Sequence, residues 1–159
     1  MLYYTEVDLS SYEIPGETTL NIYISGCQNR CIDCHYPELQ SNEYGEPLNL
    51  NFKRIIELYS NYATCICFMG EGKGTIVERD EMQEYIELIH LASMKAALYC
   101  GRDTTIESWM EEFDYVKIGR FYPDKGPLTA PTTNQKMYMK ERNKWIDITY
   151  SFYCWCDKV

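Results

Sequence analysis

The stretch "TLNIYISGCQNRCIDCHYPEL" (Thr19–Leu39) joins a short apolar run of β-forming residues to a loop holding three of the chain's eight cysteines. Runs such as "TLNIYIS" (19–25), bounded by a glycine, predict a buried strand. Reading outward, "NFKRIIELYSNY" (51–62) spaces Phe52, Ile55, Ile56 and Tyr59 as one face of a helix, and "ATCICFM" (63–69) is a second buried strand. A further helix is predicted near Glu78–Ser93, carrying Met82, Tyr85, Ile86 and Ile89 on its apolar face. A strand "AALYC" (96–100), a short helix "TIESWMEEF" (105–113) and a strand "YVKIG" (115–119) follow. Helices between consecutive strands predict a mainly parallel α/β sheet. A closed eight-stranded α/β barrel takes about 250 residues, so the four or five strands read here would make a partial, open (β/α) barrel. In parallel α/β architectures the chemistry gathers at the carboxyl ends of the strands, where the cysteine loop sits.

Composition bounds the rest. A chain of 159 residues, 45% hydrophobic, suits one domain over 1–159 with a short C-terminal tail from about residue 150. No repeat or low-complexity linker divides it. The acidic opening "MLYYTEVDLSSYEIPGE" lacks the basic and apolar regions of a secretory signal, and Lys95 and Arg102 interrupt the longest apolar stretches. The expected location is cytoplasmic, with no membrane partner. In a reducing compartment eight cysteines point to metal or redox chemistry rather than disulfides. A net charge of −9 with scattered basic residues disfavours nucleic acid as a partner.

Cys27, Cys31 and Cys34 are spaced C-x3-C-x2-C. Three thiolates on one compact loop can hold three corners of a cubane iron–sulfur cluster and leave one iron without a protein ligand. The alternative is zinc, which needs a fourth ligand such as His35 or a distant cysteine. "MGEG" (Met69–Gly72) is a glycine-rich turn after a strand, where a ligand can approach the backbone closely. Gly70 and Glu71 are candidate contacts, and a plain turn is the alternative. Lys73 followed by Gly74 does not fit a phosphate loop. Cys65 and Cys67 share one face of their strand and read as core. Cys154 and Cys156 in "YCWC" receive no role. Lys117 and Arg120 are candidate partners for a carboxylate of a cofactor or partner, with solvation as the alternative.

The cysteine spacing after a strand of a partial α/β barrel resembles the radical S-adenosylmethionine enzymes. "CQNRCIDCHYPEL" is similar to the cluster segment of the activating proteins of anaerobic ribonucleoside-triphosphate reductase, and "DYVKIGRFYPDKGPLTAPTTNQKMY" (114–138) resembles that family's late segment, with its Lys-x-Gly and Thr-Asn-Gln. The resemblance runs from about Ile14 to Tyr138. It implies a [4Fe–4S] cluster on Cys27, Cys31 and Cys34, whose open iron chelates S-adenosyl-L-methionine. It also implies cofactor contacts around Asp33, Cys34, His35, Gly70 and Glu71.

The implied chemistry is reductive cleavage of the S–C5′ bond. Methionine is released, and the 5′-deoxyadenosyl radical takes a hydrogen atom from a glycine near the C-terminus of the reductase. An electron donor such as flavodoxin or ferredoxin is a further implied partner. Two positions depart from the family: Asp33 replaces a glycine, and Met69–Gly72 replaces a Gly-Gly-Glu/Asp-Pro segment that meets the cofactor's methionine amino group. An activase of another glycyl radical enzyme of the pyruvate formate-lyase type, a zinc-binding module and an electron-carrying iron–sulfur protein are the other readings.

Overall fold

A computed structural model describes residues 1–156, without the side chains of Cys154–Cys156. The chain forms β1 (Tyr3–Ser10), β2 (Thr19–Ile24), β3 (Glu46–Pro47), α1 (Leu48–Tyr59), β4 (Cys65–Met69), α2 (Ile76–Leu91), β5 (Lys95–Tyr99), β6 (Tyr115–Ile118), β7 (Lys136–Glu141), β8 (Lys144–Asp147) and α3 (Tyr150–Cys156). All eight strands join one mixed sheet in the order β3-β1-β2-β4-β5-β6-β7-β8, with β3 and β8 as its open edges. Strands β2, β4, β5 and β6 are parallel neighbours, as the βαβ pattern predicts. The remaining four pairings are antiparallel.

The expectation of four or five mainly parallel strands is therefore corrected to an eight-stranded mixed sheet, whose parallel centre is flanked by antiparallel strands on both sides. "TLNIYIS" is the second strand of the chain rather than the first. Strand β1 precedes it with Glu6 and Asp8 in its sequence and no fully buried position, so its apolar signal is weak. The β7–β8 hairpin turns through Arg142 and Asn143, both with positive φ (51° and 61°), and lacks the Asn-Gly signature that marks such turns. The stretch expected as a short helix over 105–113 holds only a 3-10 turn at Ser108–Met110. No helix among the described residues is long and apolar enough to cross a membrane.

Strand alternation divides the interior into two layers. On one face Leu20, Ile22, Ile66, Phe68, Leu98 and Val116 pack against Phe52 and Ile55 of α1 and Met82, Tyr85, Ile86 and Ile89 of α2. Helix α2 starts at a capping box in which Thr75 and Glu78 satisfy each other's backbone amides. On the other face Cys65, Cys67, Ala97, Tyr115 and Met137 pack against Ile14, Leu128, Ile148 and Phe152. The expected tail from about 150 is helix α3, and its Phe152 closes that second layer. Cys65 and Cys67 thus lie in the core, on one face of β4, as their spacing predicts.

Candidate functional site

Because β2, β4, β5 and β6 run parallel, the segments that follow them all emerge at one end of the sheet. They carry the cysteine loop, Gly70–Gly72, Gly101–Arg102 and Gly119–Arg120 respectively. The cysteine loop is pinched at its neck, where Gly26 donates its amide to the Ser41 carbonyl (3.0 Å) and Cys27 donates to Leu39 (2.9 Å). A 3-10 turn at Pro37–Gln40 buries Leu39 beneath it. Arg30 donates to the Gln40 carbonyl at 3.1 Å, and Arg120 reaches across from the β6 end to the Arg30 carbonyl at 3.0 Å.

Cys27, Cys31 and Cys34 are free and half-buried, and all three line one cavity of about 210 Å³. Tyr23, His35, Met69, Gly70, Tyr99 and Lys117 are among the other residues that line it. Burial pushes the Cys27 thiol up, and the neighbouring Cys31, Cys34 and Glu71 add to that. Among the described residues, no set of three His, Cys, Asp or Glu side chains is already drawn around one point. The donor chemistry nevertheless suits a soft metal centre: three thiols and no carboxylate share a cavity, on a loop that the backbone closes at its base.

Of the other expected contacts, His35 lines the same cavity and meets the ring of Phe121 edge-on at 5.8 Å. Asp33 is exposed and lines neither this cavity nor the one beside it. Its φ is +55°, the left-handed region where glycine is the default and aspartate is among the tolerated side chains. A glycine would take this conformation without strain.

Gly70 lines the cysteine cavity with φ +121°, and a Cβ there would stand 3.3 Å from the Ile24 carbonyl oxygen. Any side chain at this position strains the backbone. Glu71 faces an adjoining cavity of about 160 Å³ and gives its carboxylate to Arg102 (2.7 and 2.9 Å) and the Cys100 thiol (3.2 Å). Its contribution to the site runs through the turn. Gly101 lies close against the cysteine loop: a Cβ there would fall 2.7 Å from the side-chain Nδ2 of Asn29.

Lys117 is the residue whose importance the sequence understates. It lies on β6 with only 7% of its surface exposed. Its Nζ donates to the Gly119 carbonyl at 2.9 Å and stands 5.8 Å from the Tyr99 ring centre. No carboxylate is paired with it among the described residues. Burial lowers its pKa to about 8, although Cys100, Cys31 and Asp103 pull the other way. A lysine depressed in this way costs stability while charged, and the folded state gains stability as pH rises from about 8 towards the unfolded value near 10.4.

Lys117→Met keeps the stem and removes the charge. It should raise the stability of the metal-free protein at pH 7, by at most about 3 kcal/mol at 1.36 kcal/mol per pKa unit. The difference between variant and wild type should shrink by pH 10. Urea denaturation at both pH values checks this, and a variant less stable than wild type at pH 7 would contradict it. A buried cation kept at such a cost, beside three thiols, fits a cavity that receives an anionic group. Arg120, by contrast, is spent on the loop carbonyl of Arg30.

No protein-family model, curated protein or solved structure matches the chain.

Proposed function

We propose that the protein is a radical S-adenosylmethionine enzyme with the cysteine loop as its cluster site, on a sheet whose parallel centre serves as a partial, open barrel of that type. Within that class, we propose that it is the activating protein of an anaerobic ribonucleoside-triphosphate reductase, working in the cytoplasm with a small electron carrier of the flavodoxin or ferredoxin kind. The observation that carries the reading is that Cys27, Cys31, Cys34 and Gly70 line one cavity at the carboxyl ends of parallel strands. The late segment with its Lys-x-Gly and Thr-Asn-Gln supports the reductase as target.

Cys27, Cys31 and Cys34 would hold the cluster as thiolates, which requires each thiol to give up its proton on binding. When bound, the cluster and S-adenosyl-L-methionine supply a 5′-deoxyadenosyl radical that can take a hydrogen atom from a glycine of the reductase. The residues around them bind, orient and shield. Lys117 offers a desolvated ammonium to a carboxylate, which is worth more in a dry cavity than at a surface. Gly70 presents backbone without a side chain. Tyr23, Met69 and Tyr99 line the same cavity and would form part of the wall around the reacting atoms.

The target is tested by mixing the iron-loaded protein, a reductant, S-adenosyl-L-methionine and the reductase without oxygen. A carbon-centred radical should appear on the reductase by electron paramagnetic resonance and be absent when the reductase's C-terminal glycine is alanine. A signal that survives in that variant would redirect the reading to another target.

A further inference from the structure

Arg102 stands just beyond β5 and ties together three of the four segments that frame the site. Its guanidinium holds both carboxylate oxygens of Glu71, through Nη2 at 2.7 Å and Nε at 2.9 Å. Glu71 lies between Gly70 and Gly72, so this fork grips the turn that follows β4. The remaining arm, Nη1, donates to Glu107 at 2.7 Å. Glu107 is fixed in turn by the Trp109 indole at 2.6 Å and the Thr104 hydroxyl at 3.1 Å. The Arg102 backbone carbonyl accepts the Gly119 amide at 2.8 Å, which brings in the end of β6.

Bidentate arginine–carboxylate pairs are strong and geometrically specific. This one is well shielded on the acid side, where the Glu71 side chain is 8% exposed. The turn it holds needs such a clamp: Gly70 and Gly72 both have positive φ and no side chain of their own to pack. The adjacent Gly101 is pressed against Asn29 of the cysteine loop. The turn after β4 and the ends of β5 and β6 therefore keep their relative places through one arginine, by its guanidinium on Glu71 and its carbonyl on Gly119.

We propose that Arg102 is a positioning residue for the cofactor, which fixes the Gly70–Gly72 turn beside the cysteine cavity by holding Glu71. The proposal rests on the cofactor reading of that cavity given above. It assigns Glu71 the task of anchoring the turn, and assigns the cofactor contact to the Gly70 backbone. A displacement on the order of an ångström in a positioning element can cost about a hundredfold in a fitted site.

The test compares wild type, Arg102→Met, Arg102→Lys and the double variant Glu71→Gln/Arg102→Met. In the metal-free proteins, hydrogen exchange of the Gly70–Lys73 amides should speed up at least tenfold in Arg102→Met while exchange in β4 and β5 stays near wild type. Lysine keeps the charge without the fork and should give an intermediate rate. In the iron-loaded proteins, Arg102→Met should retain its iron and bind S-adenosyl-L-methionine at least tenfold more weakly. The double variant should be no worse than the single, since both changes break one link.

Unchanged exchange in the turn, or unchanged cofactor affinity in a variant whose turn has loosened, would overturn the proposal. Wild type that holds iron but binds no S-adenosyl-L-methionine would instead overturn the cofactor reading itself, and the exchange data would still decide whether Arg102 holds the turn. If Arg102→Met fails to fold, Arg102→Lys carries the same comparison. Iron content and affinity falling together in both single variants would mark Arg102 as structural and also overturn the proposal.

Discussion

Alanine at Cys27, Cys31 or Cys34, one position at a time, is expected to abolish the intact four-iron cluster and with it all cleavage of S-adenosyl-L-methionine. Each of these cysteines lines the same cavity and is half-buried on a loop with exposed neighbours, so its sulfur can meet incoming metal. Cys65, Cys67 and Cys100 provide the contrast. All three are buried, and burial raises their thiols: that of Cys100 is pushed up to about 12, with Glu71 adding to the effect. Such thiols stay protonated and make poor ligands. Alanine at any of the three should leave the iron content unchanged. Iron analysis and the visible absorption of anaerobically reconstituted variants check both halves. A dispensable loop cysteine beside an essential Cys100 would refute the assignment.

The second large effect is on stability. Phe68→Ala should cost about 3–5 kcal/mol, the usual range for removing a buried aromatic ring. Phe68 is fully buried at the centre of the sheet. Its ring stacks with Phe52 (6.1 Å) and Tyr85 (6.2 Å) and meets Phe113 edge-on at 6.2 Å. Helices α1 and α2 and the segment before β6 therefore share this one side chain, and the site depends on it because β4 delivers Gly70 two residues later. Native stabilities of about 5–15 kcal/mol leave little margin after such a loss. Phe68→Leu should cost much less, because volume and apolar character are largely kept. Urea midpoints of the two variants measure the difference, and a loss under about 1 kcal/mol for alanine would contradict the packing described.

These two residue sets also show what the sequence discloses. Phe68 and Cys67 announce opposite faces of a strand by their spacing alone, and the βαβ rhythm through α1 and α2 is strong because each element buries a continuous apolar face. The flanking strands are quieter. Strand β1 alternates only weakly and mixes acids into a half-exposed surface, while the β7–β8 hairpin turns on Arg142 and Asn143 without a glycine. At the site, C-x3-C-x2-C and the glycines around Glu71 are visible because each is a local spacing, readable without knowing what packs against it. Arg102 looks like an ordinary cation in the sequence, and Lys117 stands there on equal terms with Arg120. Their meaning is tertiary: one reaches back 31 residues to Glu71, and the other is buried where four segments converge.

The most direct measurement is the conversion of S-adenosyl-L-methionine to 5′-deoxyadenosine by the purified, iron-reconstituted and chemically reduced protein under exclusion of oxygen. 5′-Deoxyadenosine and methionine are expected in equal amounts, with none from Cys27→Ala. A reduced wild-type protein that carries its full complement of iron and forms no 5′-deoxyadenosine would contradict it, as would a wild-type protein that holds zinc at the three cysteines and leaves S-adenosyl-L-methionine intact.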